Sequence, residues 1–587
     1  MTALFDDSRR LTGSNVYFAE PGAVLETLGI DVDDDFIARW RARIAAARGW
    51  LTWPDGPIHT RIHASGATLA FAAPLDQLLA ATEVNEWALL STLADAGADF
   101  RGDIALAPGH AASWSDELAK ATLQALASNE ADPKLAELIA AANARKLPAL
   151  PGEDLLTLGA GTGAQSWRLD ALPDVDSVPW PDLHAIPLAI VTGSNGKTTS
   201  VRLLAAMAKQ DGRSVAHSCT DGLFVDGVAI DSGDFSGPVG ARTVLRQPGV
   251  ETAILETARG GLLRRGLAVA RADVALLSNV SPDHYGEYGV HELADLAAAK
   301  LTVARAVDPD GLLVLNADDA MLRRLGPTTT RGRIGWFSLD DNDAFLVRHR
   351  EDGGSTCAMV DGHLWLSSDG KRHDLGDVAA MPLSVDGSAR YNISNLAGAA
   401  LASTALGISL EAIRTVLHRF GSDNDDNPGR LERWSLGGVS VWVDYAHNPD
   451  GMAGLLDVAT ARQDDGRLGL VLGQAGNREN KDIIELARVA ARYQPARVVL
   501  KDMLGYERGR APGEVANILR TALIEGGVTE DALVFHSDET DAVVDLLKWS
   551  QAGDLLILPI HETAARRAVR ERLDRLQERG WQPGQSL

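Results

Sequence analysis

Cysteine is nearly missing from this 587-residue chain, which has two, Cys219 and Cys357. Two thiols supply no disulfide framework, and they fit a reducing compartment in which each is a small buried side chain. Long apolar runs are also missing. No stretch approaches the roughly 20 apolar residues that span a bilayer, and the opening segment MTALFDDSRRL lacks the apolar core of a signal peptide. The expectation is a soluble cytoplasmic protein with no membrane partner. Positive charge is in deficit too: 56 Lys and Arg stand against 80 Asp and Glu, a net charge of −24. Binding a phosphate backbone needs a basic face, so nucleic acid is not an expected partner. The acidic excess reads first as solubility and second as attraction of cationic substrates. There is no internal repeat and no low-complexity tract.

What is present is ordinary globular composition, 45% hydrophobic and 23% charged. The length suggests about three to four domains. Residues 1–182 read as an α+β domain. Predicted helices (DDDFIARWRARIAAARGW, SWSDELAKATLQALAS, PKLAELIAAANARK) alternate there with short strands such as ATLAFAAP, and Trp40, Trp50, Trp53 and Trp87 fall among them. No glycine-rich phosphate loop and no metal-ligand spacing occurs in this part. ALPDVDSVPWPDLHAIP, with four prolines, reads as a linker. Over 183–425, LAIVTG, ETAILET, VALLSNV and GLLVLNAD are short, branched and nearly all apolar, the pattern of parallel strands covered on both faces. HELADLAAAKLTVARAV and ISNLAGAALASTALGI are helices between them, so this part reads as a doubly wound nucleotide-binding domain. Over 426–587, VSVWVDY, GLVLGQ, ARVVLKD, ALVFHS and DLLILPI alternate with KDIIELARVAARY and GEVANILRTALIEG, a smaller Rossmann-like α/β domain. The polar run 421–430, GSDNDDNPGR, reads as the hinge between the two.

The most informative stretch, starting at residue 186, is IPLAIVTGSNGKTTSV, an apolar strand that runs into a glycine-rich turn and then a helix. Backbone N–H groups at such a turn cradle phosphate oxygens. Gly193, Asn195 and Gly196 form the turn, Lys197 reaches the terminal phosphates, and the Thr198 hydroxyl, followed by Thr199, suits magnesium. The spacing from Gly193 is G-x-x-G-K-T, two residues shorter than the common Walker A loop. By itself it says ATP or GTP. Glu256 closes the apolar strand of ETAILET, where a carboxylate can hold a second magnesium near the γ-phosphate. Asp283 and His284, in SNVSPDHYGEYG, follow another apolar strand to the same sheet edge, and Lys300 lies on a predicted helix.

Lys197, Thr198, Glu256, His284 and Lys300, in this order and with TGSNGKTT as written, resemble the catalytic set of the Mur ligase superfamily, which includes muramyl peptide ligases and folylpolyglutamate synthetases. The resemblance covers about 185–587 and implies ATP and Mg²⁺ as cofactors. It places magnesium at Thr198, Glu256, His284 and Lys300, the last in carbamylated form. LLVLNADD, with Asn316 and Asp318, matches a further family segment. In ARYNISNLAGAALA, Asn392 and Asn395 match positions near the nucleotide base, with Tyr391 standing where the family has histidine. PGRLERW and VWVDYAHNPDG match the hinge and third-domain signatures, which implies that Arg430 reaches the phosphates and that Asp444 and His447 line the cleft beside ATP. CTDGLFVDG, GDFSGP, ETARGGLLRRG and YERGRAPGE, with Arg508 and Arg510, resemble the C-terminal half of the cyanophycin synthetase family. LTGSNVYF and PLDQLLAATEVNEWALL echo that family's opening domain. The family's ATP-grasp domain has no room between the two regions here.

The resemblance implies ADP-forming amide synthesis: a carboxylate attacks the γ-phosphate of ATP, and an amine displaces phosphate from the acyl phosphate. It further implies an aspartate-type carboxylate, small or peptidic, and an arginine-type amino acid donor. The alternatives are a Mur or folylpolyglutamate-type ligase with another substrate, a silent ATP-binding homologue that partners a synthetase, and a plain P-loop ATPase. The N-terminal domain is left with acceptor binding or homo-oligomerisation as its task.

Overall fold

The computed structural model describes residues 5–63, 66–95, 115–282, 285, 287–330, 332–462, 466–503 and 505–587. At its centre are seven neighbouring parallel strands. In spatial order they are Val215–Cys219, Thr252–Glu256, Leu188–Thr192, Ala272–Leu277, Val307–Asn316, Arg333–Ser338 and Ser355–Val360. Alternate residues of one strand feed two cores. Ala189 and Val191 join a core with Val201, Leu204 and Met207 of helix Lys197–Gln210 and Leu396 and Leu401 of helix Arg390–Ala405. Leu188 and Ile190 join the opposite core, with Leu245, Leu262 and Leu296. This period-two division is why the strand sequences are apolar throughout. Each such buried aliphatic side chain contributes roughly 1.5–3 kcal/mol.

The sheet is longer than the parallel pattern predicts. Antiparallel strands extend both edges: Gly222–Val225 and Val228–Ser232 on one side, His363–Ser368 and Lys371–Asp377 on the other. The chain winds from Leu188–Thr192 to one side of the sheet and then crosses to Ala272–Leu277 on the other, so a topological switch point falls at the carboxyl end of Leu188–Thr192. Register brings the functional strand ends level. Glu256 pairs with Val191, and Leu277 pairs with Thr192.

The last part is a six-stranded sheet in the order Glu432–Leu436, Val439–Asp444, Leu555–Pro559, Leu468–Leu472, Arg497–Lys501, Leu533–His536, and only the first pair is antiparallel. The N-terminal part holds a four-stranded antiparallel sheet and a separate three-stranded one. The proline-rich segment is no loose tether. It folds into short 3₁₀ turns, and Leu172, Val178 and Leu183 are buried in a small core with Leu156 and Leu158. The predicted helix over 291–307 is shorter than expected: it spans Leu293–Leu301 and tightens into 3₁₀ geometry over Thr302–Ala306. The N-terminal part docks on the central one through Thr12 N to Arg265 O (2.8 Å), Leu267 N to Ser14 O (2.7 Å) and the buried Arg9 Nε to Leu263 O (3.1 Å). Both cysteines are buried free thiols. Among the described residues no helix is long and apolar enough to cross a membrane.

Candidate active site

The phosphate-loop geometry depends on its glycines. Gly193 has φ +149° and Gly196 φ +83°. A Cβ on Gly193 would stand 1.9 Å from Ser278 Oγ, and one on Gly196 2.2 Å from Asn395 Oδ1. The turn is thus pressed between two neighbouring segments and only glycine fits. Asn195 N donates to Asn279 Oδ1 (2.9 Å), and Ser278 Oγ donates to Asn195 O. The helix starts at Lys197, so its unsatisfied first N–H groups border the turn. Lys197 Nζ curls back to donate to Ser194 O (3.1 Å). Lys300, 4% exposed, supports the loop from behind by donating to Gly193 O (2.8 Å).

Glu256 is 1% exposed yet fully engaged. Thr198 Oγ1 donates to its Oε2 (2.8 Å), Thr220 Oγ1 to its Oε1 (2.8 Å), and Thr220 N to Oε2 (3.3 Å). The hydroxyl and carboxylate expected to face magnesium therefore already touch. Magnesium on a nucleotide takes one or two protein oxygens and completes its shell with phosphate and water, and this pair fits that habit. Among the described residues no three His, Cys, Asp or Glu side chains form a metal-holding group. Asp283 and His284 lie outside the described residues.

The C-terminal lobe forms the facing wall. Asp444 accepts from Leu431 N and Ala446 N, both at 2.8 Å, and so pins the hinge residue Leu431, which sits at φ +57°. Burial pushes the Asp444 carboxyl up, with Arg430 opposing. Arg430 lies 4.0 Å over the Tyr445 ring and donates to Thr198 Oγ1 at 3.4 Å. Asn448 Nδ2 donates to Asn195 Oδ1 (2.9 Å), tying the phosphate loop to the other lobe, while Asn448 Oδ1 caps its own helix at Gly451 N. Asn395 Nδ2 donates to Asn392 Oδ1 (3.2 Å), and Tyr391 beside them keeps a buried hydroxyl with no hydrogen-bond partner.

One cavity of about 560 Å³ is lined by Asn195, Gly196, Lys197, Thr198, Thr199, Glu256, Asn392, Asn395, Arg430, Asp444 and His447. These predicted residues, from two lobes, share one space. Gly193 and Lys300 stand behind the loop. Asn316 and Asp318 reach the cavity rim, where Asn316 Nδ2 holds Ser278 O (2.9 Å) and Asp318 accepts from Ser338 Oγ (2.6 Å). Arg510 is spent on Gly476 O, Arg478 O and Glu514, and Arg508 is exposed. Sequence reasoning missed Asp221. Burial raises its carboxyl, but Arg202 (2.8 Å), Arg430 (4.0 Å) and Arg566 (2.6 Å) overcome that and hold it well below the usual carboxylate range. No local spacing points to a junction whose members are so far apart in the chain.

The Mur ligase middle domain profile matches residues 191–403, and the Mur ligase glutamate ligase domain profile matches residues 429–558, together more than half of the chain. The chain belongs to the Mur ligase family. Its similar relatives include a cyanophycin synthetase of Geminocystis herdmanii, 33% identical over 393 residues, which covers 66% of this chain and 44% of that protein. The cyanophycin synthetase of Trichormus variabilis is 35% identical over 378 residues, covering 64% and 41%. A UDP-N-acetylmuramoyl-L-alanyl-D-glutamate--2,6-diaminopimelate ligase of Xanthomonas campestris pv. campestris is 29% identical over 390 residues, covering 64% of this chain and 72% of that one. The chain thus spans less than half the length of the cyanophycin synthetases it matches. The two matched ranges leave residues 404–428 between them, and both contribute residues to the cavity described above.

Proposed function

We propose that the protein is an ADP-forming ligase that joins a carboxylate to an amino acid amine. One observation carries this reading: Lys197, the Thr198–Glu256 pair and Arg430 converge from two lobes on a single cavity. A triphosphate laid on the turn meets helix N–H groups, the Lys197 ammonium and the Arg430 guanidinium, so charge that builds on the transferred phosphoryl group is neutralised by groups already in place. Magnesium at Thr198 and Glu256, with His284 and a carbamylated Lys300 completing the expected set, supplies further charge neutralisation when bound. The acceptor carboxylate oxygen bonds to the γ-phosphorus as the bond to the β-bridging oxygen breaks and ADP leaves. The amine then attacks the acyl carbon, and phosphate departs. The two-lobed cavity excludes water that would hydrolyse the activated acid. Likeness to cyanophycin synthetases supports an arginine-type donor and an aspartate-type carboxylate. The ligase centre is the cavity between the two lobes, and it acts on a small molecule or a preformed peptide.

The test is product mass spectrometry with ATP, magnesium, arginine and aspartate-containing acceptors, using the wild type and Lys197→Ala. Amide product from the wild type and none from Lys197→Ala is expected. ATP hydrolysis without amine dependence would mark a plain ATPase. Nucleotide binding without any turnover would mark a silent homologue, and either result overturns the proposal.

A further inference from the structure

A second cavity, of about 680 Å³, lies at the hinge between helix Lys197–Gln210 and the last helix, Thr563–Glu578. Each helix turns one face to it at the i, i+3, i+4, i+7 spacing: positions 202, 205, 206 and 209 from the first, and 563, 566, 567 and 570 from the second. Those faces bring Arg202, Lys209, Arg566, Arg567 and Arg570, and Arg419 joins them from the helix end before the hinge. In a chain of net charge −24 this is a local reversal of sign. The carboxylates on the same wall are already engaged. Asp221 serves Arg202 and Arg566, Asp425 and Glu432 serve Arg570, and Asp426 accepts from Gly421 N. Arg419 and Arg567 are exposed, and no carboxylate among the described residues lies within ion-pair distance of either. His217 forms part of the wall. It is 6% exposed, its ring stacks on Phe224 at 4.7 Å and 8°, and its buried Nδ1 has no hydrogen-bond partner. A roomy cavity lined by six cationic side chains against four carboxylates attracts anions.

We propose that this hinge cavity binds a small, multiply charged anion bearing phosphate or carboxylate groups, and that its occupancy opposes nucleotide binding in the neighbouring cleft. The link is Asp221. Two of its guanidinium partners, Arg202 and Arg566, line the hinge cavity, whereas the third, Arg430, faces Thr198 and Tyr445 in the nucleotide cleft. An anion that takes Arg202 and Arg566 leaves Asp221 to Arg430 and draws that guanidinium from the phosphates. The antagonism is reciprocal by linkage. Anion binding itself does not depend on the ligase reading, and the coupling rests only on nucleotide binding in the first cavity.

The experiment is calorimetric titration of the full chain, saturated with ADP and excess magnesium, with citrate and with inorganic pyrophosphate as probes. One saturable site per chain is expected for at least one probe, and the probe that binds tells carboxylate from phosphate recognition. The variant R419E/R567E changes two exposed side chains, and unaltered ADP affinity in the absence of probe verifies its fold. Affinity for the probe should fall about tenfold for each charge-assisted hydrogen bond that the variant removes. In the wild type citrate, which carries no phosphate to compete on the nucleotide turn, should weaken ADP binding, and in the variant it should not. No saturable binding, or equal binding by the variant, overturns the site. Binding that leaves ADP affinity unchanged overturns the coupling. Loss of ADP binding in Lys197→Ala with anion binding retained would separate this site from the ligase centre.

Discussion

Replacing Thr198 by valine removes one hydroxyl and keeps the branched shape of the side chain. Thr198 is 4% exposed and Glu256 1%, and the 2.8 Å bond between them has a charged acceptor. Such a bond is worth about 1.5–3 kcal/mol. Glu256 retains Thr220 Oγ1 and Thr220 N, so the carboxylate is weakened without being stranded. The variant should lose about 1.5–3 kcal/mol, a drop in melting temperature of about 3–12 °C for a domain of this size. Thr220→Val, which removes the partner of the other Glu256 oxygen, should lose a similar amount. The functional effect of Thr198→Val should be larger than its effect on stability, because the same hydroxyl is proposed to hold magnesium. The metal concentration for half-maximal turnover should rise about tenfold or more, and Thr198→Ser should restore it. Scanning calorimetry and magnesium titration of turnover read the two effects. A valine variant with wild-type melting and wild-type magnesium dependence would refute this account of the pair.

Gly196→Ala puts a methyl group 2.2 Å from Asn395 Oδ1 at φ +83°. A displaced loop should lower turnover about a hundredfold with secondary structure unchanged by circular dichroism. Burial raises the Glu432 carboxyl from 4.5 to about 7. Between those values the folded state holds the proton more tightly than the unfolded one, so this contribution to stability is present below about pH 4.5 and lost as pH rises through 7. Glu432→Gln should therefore gain up to about 3 kcal/mol on the wild type at pH 8 and little at pH 5, read by urea melts at both values. Lys501 is fully buried, with its ammonium on Glu539, Pro559 O and His561 Nδ1. Lys501→Met strands the Glu539 charge and should cost about 3–5 kcal/mol in denaturant melts, most of it recovered in K501M/E539L.

The phosphate loop and the strand-end Glu256 were legible because each is a local event: an apolar run, then residues whose chemistry belongs at a sheet edge. The antiparallel edges were equally local and went unread. Asp226-Gly227, Asp361-Gly362 and Asp369-Gly370 each join paired strands with positive φ at both residues, the two-residue hairpin signature. The proline-rich segment looked like a tether because proline marks turns, yet its Leu172, Val178 and Leu183 carry the spacing of a small core. The Asp221 junction had no such signal. Its partners Arg202, Arg430 and Arg566 come from a helix, the hinge and the last helix, and only the folded chain assembles them. Asn448 was hidden in the same way, since as a helix cap it needs no second role, and its bond to Asn195 appears only when the lobes face each other.

The most direct measurement follows oxygen. With acceptor carboxylate labelled in both oxygens with the heavy isotope, ATP, magnesium and an arginine-type amine, the released phosphate should carry one labelled oxygen for each amide formed. Under the proposed function, Lys197, the Thr198–Glu256 pair and Arg430, which line one cavity, would hold the γ-phosphate for attack by the carboxylate. Phosphate released without label while amide accumulates would contradict carboxylate activation at this cavity.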